Sequence, residues 1–113
     1  MKRFVLSIML GLAFSANSAE RIVKCEIVSP PQKFKGDCRF LAEKGGTFSL
    51  LSTTGANFGR TDIQAVTVAI IGKDLAHVRG SQGGAINSAW GEAKRSPKEK
   101  ACWIGDDFRI CAW

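Results

Sequence analysis

The sequence predicts an all-β protein: a small antiparallel β-barrel, or a two-sheet sandwich, of about seven short strands with two disulfides. Three observations predict it. Short apolar–polar alternations recur after residue 20, separated by turn-forming pairs such as Gly45-Gly46 and Gly83-Gly84. Helical periodicity is absent; Glu92–Lys100 has the composition for a helical turn, but Pro97 interrupts it. The chain also carries 4 cysteines, an even count that suits a small exported fold.

The elements follow in order. Residues 21–28 alternate through Val23, Cys25 and Ile27, and residues 36–43 through Cys38, Phe40 and Ala42. Residues 47–52 make a third short strand, after the Gly45-Gly46 turn. Thr53 to Ile63 is polar and contains glycine, so it reads as a loop. Residues 65–71, Ala-Val-Thr-Val-Ala-Ile-Ile, form the strongest strand and turn at Gly72-Lys73-Asp74 into residues 75–80. A three-residue loop there pairs Val68 with Val78, Ile70 with Ala76 and Thr67 with Arg79. A one-residue slip would destroy that match of apolar with apolar. Residues 85–91, 101–104 and 108–112 complete the set, in a single domain over residues 20–113. The glycines of Gly80-Ser81-Gln82-Gly83-Gly84 read as a hairpin loop; a phosphate-binding loop needs a following helix and a lysine, and neither is present.

The amino terminus sets the compartment. Lys2 and Arg3 precede an apolar run from Phe4 to Phe14, and small residues follow up to Ala19. This is the pattern of a secretory signal peptide over residues 1–19, cleaved after Ser18 or Ala19. The apolar run is too short to span a bilayer, and the absence of a cysteine at the cleavage point argues against lipid attachment. A periplasmic or secreted protein is expected. The chain has 16 Lys plus Arg and 10 Asp plus Glu; without the leader's Lys2 and Arg3 the balance is 14 against 10, or +4. Such a charge favours weak attraction to anionic surfaces and falls short of a dedicated nucleic-acid binder.

The cysteines Cys25, Cys38, Cys102 and Cys111 lack C-x-x-C spacing, and the single histidine cannot complete a zinc tetrahedron, so no metal site is expected. Four cysteines allow three pairings. A hairpin centred between Asp106 and Asp107 sets Cys102 opposite Cys111. A similar hairpin around Ser29–Phe34 sets Cys25 opposite Cys38 and Val23 opposite Phe40. That second register also places Lys24 opposite Arg39 and Glu26 opposite Asp37, which is unfavourable. Local Cys25–Cys38 and Cys102–Cys111 bridges are preferred over long-range pairings that tie the chain ends together.

Residues with chemical potential are few. Histidine is the residue type best suited to acid–base work, but the hairpin register puts the single one, His77, opposite Ala69 on a polar strand face. Asp106 and Asp107 are adjacent and favour a turn over a carboxylate pair. Lys94, Arg95, Lys98 and Lys100 form the densest basic cluster, with Trp90 just before it and Trp103 just after. A basic, aromatic-flanked segment of this kind can hold an anionic glycan, lipid headgroup or nucleic acid strand. Trp103, Phe108, Ile110 and Trp113 read as core or edge-covering residues.

The tail Ala101-Cys102-Trp103-Ile104-Gly105-Asp106-Asp107-Phe108-Arg109-Ile110-Cys111, with Asn87-Ser88-Ala89-Trp90-Gly91, resembles a group of small exported bacterial proteins to which no function is assigned. The resemblance implies periplasmic or secreted placement and supplies no catalytic residues. The general layout is also similar to small periplasmic β-barrel inhibitors of lysozyme, although this chain lacks their Ser-Gly-x-x-Tyr loop and contains no tyrosine.

The sequence therefore points to a non-enzymatic binding module, without cofactor or metal, that recognises a protein or anionic polymer through Trp90, Lys94, Arg95, Lys98 and Lys100. The alternatives are a small hydrolase using His77 with a nearby carboxylate, and a structural or stress-protective envelope protein. Oligomeric state is left open.

Overall fold

The computed structural model describes residues 19–113; the signal-peptide segment lies outside the described residues, apart from Ala19. Eight strands follow one another around an up-and-down barrel: β1 (Ala19–Ser29), β2 (Gln32–Ala42), β3 (Phe48–Ser52), β4 (Ile63–Gly72), β5 (Leu75–Gln82), β6 (Ala85–Arg95), β7 (Cys102–Ile104) and β8 (Arg109–Ala112). Every neighbouring pair is antiparallel, and β8 closes on β1. Glu92–Lys100 holds no helical turn: β6 runs on through Arg95 and is followed by a tight loop.

Alternation fills the interior. Val23, Cys25 and Ile27 from β1 meet Leu50, Val66, Val68, Val78, Trp103 and Ile110 from around the ring, all buried. The β4–β5 register is the one the valines dictate, with Val68 opposite Val78, Ile70 opposite Ala76 and Ala69 opposite His77. In β7–β8, Cys102 stands opposite Cys111 and the two are bonded, with Cα atoms 4.0 Å apart.

The β1–β2 register differs from the expected one by two residues. Its turn is only Pro30-Pro31, so Val23 faces Cys38 and Cys25 faces Gly36. The Cys25–Cys38 bridge therefore runs diagonally across the inner face, with Cα atoms 5.9 Å apart, within ordinary disulfide reach. Charge explains the choice. In this register Lys24 faces Asp37 with Nζ 2.8 Å from Oδ1, and Glu26 faces Lys35, so the like-charge oppositions disappear. Gly36 gives the inner face room: a Cβ there would sit 3.0 Å from the Phe34 ring.

Successive turns alternate between two ends. The upper end carries Pro30-Pro31, the loop 53–62, Gly83-Gly84 and the turn Gly105–Phe108. The lower end carries the 3₁₀ turn Lys44–Gly46, Lys73-Asp74, the loop 96–101 and Trp113. The loop 53–62 closes the upper end. Its Phe58 is 1% exposed and packs 5.5 Å from the Phe34 ring. The backbone returns on itself through Phe58 N–H to Ile63 O (2.9 Å) and Thr61 N–H to Phe58 O (2.9 Å). The buried Thr61 hydroxyl donates to Phe58 O at 2.7 Å and accepts from Ile63 N–H at 3.1 Å, so it is satisfied within the plug.

Asp62 ties this loop to its neighbours. Its Oδ1 accepts from Gln32 Nε2 at 2.6 Å and from Gln82 Nε2 at 3.2 Å. The Gln32 bond, helped by Gln82 and against some desolvation, holds the carboxyl below the usual aspartate range. A lowered folded pKa stabilises the fold above the unfolded value, and that contribution is lost as pH falls through the folded value. Asp62→Asn should therefore lose less stability than the wild type between about pH 5 and pH 2. Urea midpoints across that range check it; identical acid slopes would show that the Asp62 bonds do not act. The Glu20 carboxyl is lowered in the same direction by Arg39, and it is common to both proteins.

Candidate functional site

The lower end gathers cations from segments far apart in sequence. Arg21 comes from β1, Lys44 from the β2–β3 connection, Lys73 from the β4–β5 turn, and Lys98 and Lys100 from the β6–β7 loop. None of these five makes an ion pair among the described residues; the ion-paired cations are Lys24, Arg39, Arg95 and Arg109.

Arg95 organises this end. Its guanidinium lies over the Trp103 ring, 4.4 Å from the centroid. Its Nε donates to Asp74 Oδ1 at 3.1 Å and its Nη1 to Lys100 O at 2.8 Å. The side chain thus joins the β4–β5 turn, the β6–β7 loop and the buried indole of β7, and its charge is balanced by Asp74. Arg21 makes a second cation–π contact, 4.5 Å above the Phe40 ring, which stacks on Phe48 at 4.9 Å. The loop 96–101 is braced from within. Ser96 Oγ accepts from Lys98 N–H and Glu99 N–H, and Glu99 holds the indole N–H of Trp113 at 2.8 Å. Lys98 and Lys100 are therefore presented by an ordered turn, whose side-chain caps fix the backbone.

Two shallow hollows open between these groups. One, of about 210 Å³, is lined by Arg21, Phe40, Trp103 and Trp113 among others. The second, of about 410 Å³, lies against Lys73, Asp74, Ser96 and Pro97. Arg95 and Lys100 line both. The smaller hollow has an aromatic floor and the larger is lined mainly by polar residues. Both have cations at the rim; of the acids nearby Asp74 is held by Arg95 and Glu99 by Trp113, while Glu43 stands exposed beside Lys44. Chemically this suits a group with negative charge and some flat or apolar surface.

The residues singled out in the sequence are divided by the fold. Arg95 and Lys100 line the lower hollows, and Lys98 stands on the adjoining loop. Lys94 is exposed on β6, opposite Leu75 and Ile104. Trp90 stands apart. It is five residues up β6 from Arg95, about 16 Å at the strand rise. It packs on Phe108 with ring centroids 5.8 Å apart. Its ring lies so close over Gly80 that a Cβ there would be 2.4 Å from it. Sequence reasoning missed Arg21, Lys44 and Lys73, because only the barrel brings their segments beside the 96–101 loop.

His77 sits between Ala69 of β4 and Glu92 of β6, on the strand face. Asp74, its nearest acid in sequence, belongs to the turn and is paired with Arg95. Neither His77 nor Glu92 lines the hollows at either end. Asp106 and Asp107 occupy the Gly105–Phe108 turn, which is closed by Gly105 N–H to Phe108 O at 2.9 Å. No grouping of three or more His, Cys, Asp or Glu suited to a metal ion occurs among the described residues. No helix among them is long and apolar enough to cross a membrane.

No known protein family, curated protein or solved structure matches the chain.

Proposed function

We propose that this protein is a non-enzymatic, extracytoplasmic binding module whose lower mouth holds an anionic polymer. One observation carries the reading. Three cations without ion-pair partners among the described residues, Arg21, Lys73 and Lys100, line two adjoining hollows that share an Arg95–Lys100 wall, one of them floored by aromatic rings, and Lys44 and Lys98 stand on neighbouring loops. Two adjoining hollows with one cationic divider suit successive anionic units of a chain better than a single small anion. The leader-like amino terminus and the two disulfides support a periplasmic or extracellular location. There, anionic glycans and phosphate-bearing polymers are the available partners of this chemistry. The net charge of the exported part adds long-range attraction, which salt screens.

Charge reversal at the mouth tests this. Lys73→Glu with Lys100→Glu should elute from an immobilised dextran sulfate column at distinctly lower salt than the wild type. Lys33→Glu with Arg60→Glu changes net charge equally at the upper end and should shift elution far less. Equal shifts for the two pairs would reduce the effect to net charge and remove the site.

A further inference from the structure

The barrel is closed unevenly, and this creates a second place for a partner. Strand β6 pairs with β5 from Leu75↔Lys94 to Gln82↔Ala85, nearly its whole length. On its other side only Lys94 and Arg95 pair, with the three-residue β7. Residues Ala85–Ala93 therefore lack a strand partner on this side; Phe108 of the β7–β8 turn covers the stretch at Trp90 and Gly91, and Ala85–Ala89 is left as an open edge at the upper end. The facing wall is the top of β1, to which β8 pairs as far as Val28↔Arg109. Side chains fill the gap between them. A bulge in β6, where Trp90 is the extra residue between the Val78↔Gly91 and Arg79↔Ala89 pairs, turns Trp90 inward to meet Phe108 of the β7–β8 turn.

Open edges are normally guarded by lysine, proline, bulges or covering segments; this one is interrupted by bulges near Trp90 and Asn87 but carries none of the others along Ala85–Ala89. The stretch Ala85-Ile86-Asn87-Ser88-Ala89-Trp90-Gly91 contains no charge and no proline, and Ile86 is 85% exposed. Beside the edge lies a hollow of about 260 Å³ lined by Ser29, Gln82, Ala89, Trp90, Asp107 and Phe108. Its lining offers a carboxylate, an amide oxygen, a hydroxyl and aromatic surface, and no cation. That combination suits an ammonium or guanidinium group, which takes a charge-assisted hydrogen bond from a carboxylate and a face of indole together. The hollow is chemically the reverse of the lower mouth.

We propose that the β6 edge is a docking site for an extended peptide segment of a partner protein, with a lysine or arginine side chain of that segment seated against Asp107 and Trp90. Backbone pairing beside Ser88 and Ala89 supplies affinity, and the hollow selects the basic residue. This site is independent of the lower mouth and stands or falls apart from it.

The test uses three probes against the ¹⁵N-labelled mature protein: the capped tripeptide Val-Arg-Val, its Val-Gln-Val counterpart, and argininamide. The arginine peptide should shift the Trp90 indole N–H, the Gln82 side-chain amide and the Ser88–Ala89 backbone amides. It should bind at least about tenfold more tightly than either other probe. Asp107→Asn, a change at an exposed turn, should weaken the arginine peptide about fivefold or more while leaving the Phe58 and Val68 amides in place. Equal binding of the arginine and glutamine peptides, or argininamide binding as tightly as the peptide, would overturn the proposal. So would shifts confined to the lower end, or concentration-dependent self-association that occupies the same edge.

Discussion

Phe58→Ala should destabilise the protein by about 3–5 kcal/mol, the range for removing a fully buried aromatic side chain. The size follows from position. Phe58 closes one end of a barrel whose interior is filled mainly by strand side chains, with Phe108 of the β7–β8 turn, and its ring rests on Phe34. The loop that carries it is otherwise tied down by polar bonds, from Thr54 to Ser52, Asn57 to Gln64 and Asp62 to Gln32, Gln82 and Gly83, and Phe58 is its one apolar anchor in the core. Deleting the ring leaves a void at the barrel mouth and frees the loop together. For a domain of this size a loss of 1 kcal/mol lowers the melting temperature by about 4–8 °C. A melting temperature within about 5 °C of the wild type would mean that the loop does not plug the barrel.

Removing the Cys25–Cys38 bridge by the double change to alanine should cost about 2–5 kcal/mol, and more than the same change at Cys102 and Cys111. Two arguments give the order. The first bridge spans 13 residues and the second 9, so the longer loop gains slightly more from closure. The larger difference is packing. Cys25 and Cys38 point into the core, among Val23, Ile27 and Leu50, and their loss leaves a cavity. Cys102 and Cys111 are also fully buried but lie outside that core cluster. Their cover is the Arg109 side chain, whose Nε is 3.3 Å from Cys111 Sγ and whose Nη2 is 3.4 Å from Glu26 Oε1. Denaturant midpoints of the two double variants decide the order. A larger loss at the outer bridge would contradict this division of the sheet into faces.

Much of this fold is legible in the sequence where one face must be apolar. The β4–β5 pairings from Thr67–Arg79 to Ile70–Ala76 are read correctly because a slip by one would break the apolar match, whereas the turn is tighter than the expected three residues: a bulge at Ile71 lets Gly72 pair with Leu75. The β7–β8 hairpin is legible because two cysteines flank an Asp-Asp turn symmetrically. The β1–β2 register is not, because setting the cysteines opposite each other is only one way to bridge them. A diagonal pair also reaches, and the ion pairs along the outer face favour it. Phe58 carries a faint signal, a lone large apolar residue in a polar loop, which alternation cannot score. The candidate site is the least legible part. A run of lysines is visible in sequence, whereas a ring assembled from Arg21, Lys73 and Lys100 exists only once the strands have closed. Trp90 shows the converse: it neighbours the basic run in sequence, yet it fills the gap beside β6 at the other end.

The binding reading rests on one end of the barrel being the anion-holding end. Titrating the ¹⁵N-labelled mature protein with a short dextran sulfate, and recording which backbone amides shift, addresses that claim most directly. The account expects the shifts to converge on Arg21, Lys44, Lys73 and residues 96–101, with the amides of the Pro30-Pro31 hairpin and the Phe58 loop unmoved. Shifts scattered evenly over the barrel, or gathered at the upper end, would contradict it.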